Sequence, residues 1–181
     1  MNCTACKKGV LSPAYLDVML PSHACNECGG VFLRMIDYFR WQEDNENIDL
    51  VANPPVGIHA EETSTAILCP KTGVLMTKYR ISKDTEHRLD FSAAANAVWM
   101  DKGEWELLKT AGLATRLNNL FTSHWQHDIH AQESSEVMRE LYARRFGEHY
   151  AALSEFRAVL DAMDDKHEAI AYLMAEDPYK P

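Results

Sequence analysis

The chain of 181 residues lacks the features that mark several large classes of protein. It has no apolar run long enough to span a bilayer, so we expect no membrane segment. Residues 1–4 lack the basic and apolar regions of a secretory signal, so we expect a cytoplasmic protein. No Gly-rich phosphate loop, Gly-x-Ser-x-Gly elbow or dinucleotide fingerprint occurs, so the common enzyme motifs are missing.

Basic residues are scarce, with 18 Lys and Arg against 27 Asp and Glu, and the formal net charge is −9. Because phosphate recognition needs a basic face, this balance argues against broad nucleic-acid binding. The charge is uneven along the chain. Residues 42–66 contain no Lys or Arg, whereas residues 1–40 and 67–120 are slightly basic. Nucleic-acid binding through the basic segments therefore stays open as an alternative.

Cysteine is sparse too, but four of the five cysteines form two Cys-x-x-Cys pairs, Cys3/Cys6 and Cys25/Cys28. Pairs that are separated by about 15–20 residues are typical of a tetrahedral zinc site, because each tight turn aims both sulfurs at one ion. A segment of roughly 40 residues cannot bury enough apolar surface to fold alone, so the metal would supply folding energy. The alternatives are disulfides, a redox pair or an iron site.

We predict one structural Zn²⁺ ion with Cys3, Cys6, Cys25 and Cys28 as its ligands. Four thiolates complete a tetrahedral zinc site and leave no open position for a catalytic water. The predicted role of this site is therefore folding and recognition, and we predict no catalytic residues.

Residues 9–11 (Gly-Val-Leu) and 29–33 (Gly-Gly-Val-Phe-Leu) follow the two cysteine pairs. Together with the pairs, this pattern resembles the bacterial zinc-ribbon family named after transcription factor IIB. The resemblance implies zinc binding and a recognition role. The family pattern continues with Asp-x-Gly-Glu before a short helix, whereas this chain departs after Leu33 and reads Arg-Met-Ile-Asp.

The missing ending occurs further along the chain, where residues 98–104 read Val-Trp-Met-Asp-Lys-Gly-Glu. Residues 73–75 repeat the Gly-Val-Leu of residues 9–11. We therefore predict a tandem repeat whose second copy is ribbon-like and metal-free. A chance similarity of short, partly apolar segments is the alternative.

The second copy keeps one of the four ligands, Cys69, and its second pair would fall at Ser92 and Ala95. Without a metal it would depend on packing, with Trp99 and Trp105 as the natural apolar anchors. We interpret Cys69 as a small buried apolar residue and not as a reactive thiol.

The fold class that we predict is α+β, with small β-rich zinc ribbons and a helical C-terminal region. Leu113, Leu117, Phe121 and Trp125 recur every four residues, which predicts one face of a helix that a partner could cover. The predicted organisation is a zinc ribbon over 1–41, an acidic linker or surface loop over 42–66, the ribbon-like repeat over 67–110 and the helical region over 111–181.

A second candidate metal site lies at His124, His127, Asp128 and His130, of which the first three share a helix face. A solvent-facing helix side would have the same composition, and we regard that interpretation as the stronger one.

Together these features predict a zinc-binding, non-enzymatic adaptor or regulatory protein. Its partner would be a protein of unknown identity, and a homodimer is the first association that we expect. The alternatives are a nucleic-acid-binding zinc-ribbon protein with a role in transcription, and an enzyme that uses the histidine cluster.

Overall fold

The computed structural model of the chain describes residues 1–45 and 60–179. It contains a six-stranded antiparallel sheet and six α-helices in these residues, which confirms the predicted α+β class. Most of the predicted linker lies outside the described residues. No helix in the described ranges is long and apolar enough to cross a membrane.

The sheet consists of two sets of three strands, each set continuous in sequence. The strands are β1 (Leu11–Tyr15), β2 (Pro21–Cys25), β3 (Val31–Arg34), β4 (Thr77–Arg80), β5 (Arg88–Ser92) and β6 (Ala97–Met100). Their order across the sheet is β1-β2-β3-β6-β5-β4, so the last strand of each set meets the other at the centre. Across the sheet, the strands of the second set therefore appear in the reverse of their chain order, with β6 at the centre and β4 at the edge.

The central pair, β3 and β6, places Phe32 directly opposite Trp99 and Leu33 opposite Val98. Successive side chains of a strand point to opposite faces, so these two pairs lie on different sides of the sheet. Phe32 and Trp99 join the apolar cluster that contains the cysteines, while Leu33 and Val98 join a larger cluster under the helices. Both faces of the central pair are therefore buried.

Helices follow the strands of each half. The α-helices are α1 (Met35–Asp44), α2 (Glu104–Thr110), α3 (Leu117–Leu120), α4 (Ser123–Phe146), α5 (Tyr150–Asp161) and α6 (Lys166–Met174). Short 3-10 turns occur at Ala114–Arg116 and Gly147–His149. Helix α2 ends at Thr110, and Gly112 follows it with a φ of 67°, which suits a residue without a Cβ atom.

The indole N–H groups of two buried tryptophans donate hydrogen bonds that stabilise the larger apolar cluster. Trp41 and Trp105 pack edge to face at 5.8 Å between ring centroids. The indole N–H of Trp41 donates to the carbonyl of Val18, and that of Trp105 donates to Asp17 Oδ2. Because both acceptors lie in the β1–β2 loop, these bonds hold that loop against the helices of both halves.

The segment from Leu113 to Trp125 is not the single helix that its periodicity predicted. It contains a 3-10 turn, the short helix α3 and the start of α4. Leu117 is fully buried and Leu113 is nearly so, because both pack into the larger cluster. The expectation that a partner covers this stripe was therefore wrong, since the protein's own core covers it.

The chain divides into two compact units, Met1–Gln132 and Glu133–Pro181, with the division inside α4. The first unit contains the whole sheet and extends past the predicted boundary at residue 110. In the second unit, none of the described residues, 133–179, is buried. The helices of this unit therefore lack an enclosed core within the described chain.

Trp99→Ala should lower the free energy of unfolding by about 3–5 kcal/mol, the usual range for emptying a large buried aromatic site. The indole is fully buried, it packs against the backbone at Gly30, and its N–H donates to Asp101 Oδ1 at 2.8 Å. Urea denaturation measures the change. The control Val74→Ala, at a residue that is 52% exposed, should stay within about 0.5 kcal/mol of wild type. A loss below 1 kcal/mol for Trp99→Ala would contradict the packing role.

Candidate metal centre

The two cysteine pairs meet at one end of the β1–β2–β3 half. Cys3 and Cys6 lie in the turn before β1, Cys25 ends β2, and Cys28 lies in the turn before β3. Cys3 Sγ lies 3.8 Å from Cys28 Sγ, and Cys6 Sγ lies 3.7 Å from Cys25 Sγ. All four sulfurs lie within 4.8 Å of one another. The predicted ligands therefore form one compact cluster of four thiols, none of which is in a disulfide.

These distances fit a metal site. In a tetrahedron with zinc–sulfur bonds of about 2.3 Å, neighbouring sulfurs are about 3.8 Å apart. The observed separations match this edge length and greatly exceed a disulfide bond of about 2.05 Å. The four cysteines therefore provide the donor set and the spacing that a tetrahedral metal ion requires.

The turns that carry the cysteines are locked to each other. Asn26 bridges them, because its Oδ1 accepts from the Val10 N–H at 2.7 Å and its own N–H donates to the Val10 carbonyl at 3.3 Å. Gly9 lies between the turns, and a Cβ atom at this position would collide with Cys25 Sγ. Residue 9 must therefore be glycine so that Cys25 Sγ can approach the turn that carries Cys3 and Cys6.

The thiol pKa is shifted in opposite directions at different cysteines of the cluster. The backbone N–H groups of Lys8 and Gly9 lower the pKa of the Cys6 thiol to about 6, and the Gly9 N–H lies 3.3 Å from the sulfur. Burial raises the pKa of Cys3 and of Cys28. A metal ligand must be the thiolate, and the charge of a bound cation would favour that form at the two buried sulfurs.

The corresponding place in the second half contains hydroxyl groups around one thiol. Cys69 is 1% exposed and lies in the same apolar cluster as Cys3 and Cys25. Burial acts to raise the pKa of this thiol, but hydrogen bonds with Ser92 and Thr72 outweigh burial, so the pKa lies below its usual value. Two of the predicted remnant positions, Cys69 and Ser92, are thus hydrogen-bonded to each other, whereas Ala95 has no polar side chain.

The histidine cluster is on the surface. His124 Nε2 lies 3.4 Å from Asp128 Oδ2, and His127 Nδ1 lies 3.8 Å from Asp128 Oδ1. The side chains of both histidines are more than three-quarters exposed. In residues 1–45 and 60–179, this segment does not form a group of three converging ligands. The geometry fits the solvent-facing helix side that the sequence analysis favoured.

Sequence reasoning missed a second group of metal-ligand side chains, formed by Glu62, His87 and Glu104. One ligand atom from each residue lies within 4.8 Å of the other two. These residues are far apart in sequence, so no spacing rule identifies them. The one available signal was the Asp-x-Gly-Glu motif, which ends at Glu104 and which we interpreted as a helix start.

No protein-family model, curated protein or solved structure matches the chain. The resemblance to the zinc-ribbon family therefore stays a prediction from the residues that carry it. The functional argument below depends on the geometry and chemistry of this chain alone.

Replacing Cys28 with Ser should remove the metal, because a serine hydroxyl is not a thiolate ligand and three sulfurs leave the site open. Elemental analysis of the purified wild-type protein should give about one zinc per chain, and Cys28→Ser should lose it. The first half should then unfold, as measured by the loss of amide-exchange protection in β1 and β2.

The control is Cys69→Ser, which changes a thiol that is more deeply buried than Cys28 and lies outside the group of four cysteines. It should keep the zinc. Full zinc occupancy in Cys28→Ser, or loss of zinc in Cys69→Ser, would contradict the assignment of the four ligands.

Proposed function

We propose that the protein is a cytoplasmic, non-enzymatic interaction protein, an adaptor or regulator, whose cysteine cluster holds one structural zinc ion. One observation about the C-terminal unit supports the interaction role. Its helices have large apolar side chains on their surface, and none of residues 133–179 is buried. Zinc supplies the folding energy of the first half, and the C-terminal unit supplies the surface for the partner.

The donor set supports zinc as the ion. Four thiolates at tetrahedral spacing favour a soft or borderline cation, and zinc commonly occupies such closed sites. Cys3 and Cys25 are buried, so the ion would be shielded from solvent on one side by the cluster around Phe32 and Trp99. A closed, shielded site stabilises a fold and does not turn over substrate.

We further propose that residues 1–41 and 67–110 are two copies of one ribbon, the second without metal. The reversed strand order supports this, as do matching backbone bonds before the first strand of each half. The Cys3 N–H donates to the Gly9 carbonyl at 2.9 Å, and the Cys69 N–H donates to the Val74 carbonyl at 2.8 Å. The Leu11 N–H donates to the Met1 carbonyl, as the Met76 N–H does to that of Ile67. These bonds match Leu11 with Met76, one residue later than the Gly-Val-Leu repeat in the sequence would match it.

The apolar surface of the C-terminal unit is extensive. Its exposed large apolar residues are Val137, Met138, Leu141, Tyr142, Phe146, Leu153, Phe156, Val159, Met163, Ile170, Tyr172, Leu173, Met174 and Tyr179. Short helices are marginal in water unless an apolar face is packed against another element. Exposed apolar surface of this extent marks a place of interaction with another protein. A partner that covers these side chains would provide the missing burial.

A second copy of the chain is the partner that this surface fits. Arg144 and Arg145 form a basic last turn of α4, whereas Asp164 and Asp165 lie between α5 and α6. One unit thus offers a basic segment and an acidic segment, which a two-fold arrangement can pair reciprocally. The apolar side chains between these segments would form the centre of such an interface.

Light scattering at micromolar concentration tests this proposal. Wild type should be a dimer, and Leu153→Glu or Phe156→Glu should shift it to a monomer, because each places a charge in the covered apolar surface. Leu75→Glu changes another exposed apolar residue, which lies in the first unit, and should leave the dimer intact. A wild-type monomer would contradict the homodimer. If that monomer bound mixed-sequence DNA at physiological salt, the nucleic-acid alternative would replace the adaptor role.

A further inference from the structure

A second cluster of metal-ligand side chains lies in the β4–β5–β6 half. It contains no cysteine, and its residues are distant in sequence from the four predicted zinc ligands. Glu62 precedes β4, His87 precedes β5, and Glu104 is the first residue of α2. His87 Nδ1 lies 3.4 Å from Glu62 Oε2 and 3.7 Å from Glu104 Oε1. Three separate segments therefore direct one nitrogen and two oxygens at the same point.

Two of these atoms are buried and unsatisfied. The Glu104 side chain is 1% exposed, and its Oε1 has no hydrogen-bond partner in the described part of the chain, while its Oε2 accepts from the Asp101 N–H at 2.7 Å. His87 Nδ1 is also buried without a hydrogen-bond partner among the described residues. A buried carboxylate oxygen without a partner is costly, so a group that binds it would stabilise the fold.

The first half provides a contrast. Asp37, the buried carboxylate in the first turn of α1, receives two hydrogen bonds from the Arg34 guanidinium at 2.6 and 2.9 Å. Glu104 stands in the first turn of α2, where Asp101 replaces the arginine, so a carboxylate occupies the place of the cation. The charge that balances Asp37 is therefore missing at Glu104.

The surroundings of Glu104 are rich in negative charge. Burial raises the pKa of Glu104 to about 9, with repulsion from Asp101, Glu62 and Asp90 adding to the effect. Lys78 binds Asp90 Oδ2 at 2.8 Å and lies 3.8 Å from Glu62, so its charge is already engaged with those two carboxylates. The ammonium group of Lys78 is therefore shared by two of the carboxylates around Glu104, and a cation beside Glu104 would be attracted to all of them.

We propose that Glu62, His87 and Glu104 bind a divalent transition-metal ion, through one imidazole nitrogen and two carboxylate oxygens. Nitrogen and oxygen ligands at bond lengths of about 2.0–2.1 Å are about 3.3–3.4 Å apart in a tetrahedral site. The observed 3.4 and 3.7 Å are close to this edge and need only a small contraction. The mixed donor set suits zinc and other first-row divalent ions.

The place of this site gives it a consequence for the fold. The ion would link the segment before β4, the segment before β5 and the start of α2, all within the half that lacks the four cysteines. Glu62 is exposed, so the ion could enter from solvent and keep a water ligand on that side. Each half would then have its own metal link, with sulfur ligands in the first and nitrogen and oxygen ligands in the second.

Isothermal titration calorimetry with Zn²⁺ tests the proposal on the full-length protein. The protein is first passed through a weak chelator, and elemental analysis establishes how much zinc the cysteine cluster retains. We expect one further zinc equivalent per chain to bind. His87→Ala and Glu62→Gln should each weaken this binding at least about tenfold, since even the loss of a group that supports a metal ligand costs that much.

Two matched controls exclude nonspecific binding. His124→Ala removes a histidine whose side chain is 87% exposed. Glu86→Gln removes a carboxylate that is next to His87 in sequence and whose side chain is 84% exposed. Both should bind the further equivalent as wild type does. Thermal unfolding without added metal verifies that each variant is folded, and Glu104→Gln, which keeps the shape of the buried side chain, serves as a third ligand variant.

The expected pattern is loss in the ligand variants and retention in both controls, together with a zinc-dependent rise in Tm for wild type and for both controls that is reduced in the ligand variants. Absence of a further equivalent would overturn the proposal, and so would equal affinity in folded His87→Ala. A loss in His124→Ala would place the ion at the surface histidines instead. Retention of cysteine-bound zinc is scored separately, so failure here is distinct from failure of the structural zinc assignment.

Discussion

The antiparallel pairing of β3 with β6 joins two three-stranded halves into one sheet, and the rest of the first unit depends on it. It sets Phe32 against Trp99 on one face and Leu33 against Val98 on the other. The first pair lies in the apolar cluster that also contains Cys3, Cys25 and Cys69, and the second pair lies in the larger cluster against which the helices pack. Both cores therefore depend on one strand interface.

The two halves stabilise the loops at the ends of their strands by different chemistry. The first half has four converging sulfurs, which repel one another as thiolates unless a cation lies among them. The second half has Cys69 hydrogen-bonded to hydroxyl groups at the equivalent place, with Trp99 beside it. Its unbalanced charge is instead at Glu104, on the opposite end of β6.

The C-terminal unit follows a different principle. Helix α5 has the apolar periodicity of a core helix, yet none of the unit's described residues is buried. Apolar periodicity shows which side of a helix requires cover, and it does not show what provides the cover. In the segment from Leu113 to Trp125, the cover is the protein's own sheet and helices. In residues 133–179, we propose that it is a second chain.

Local spacing determined the part of the site that the sequence could predict. Two Cys-x-x-Cys turns place their own sulfurs, so the cluster of Cys3, Cys6, Cys25 and Cys28 followed from residue spacing. The β part of the α+β class came from the resemblance to zinc ribbons, and the helical part came from apolar residues at helical spacing. The meeting of Glu62, His87 and Glu104 was decided only by tertiary structure. These residues belong to three segments whose proximity depends on strand order and on where α2 begins, and no periodicity in a single chain encodes either.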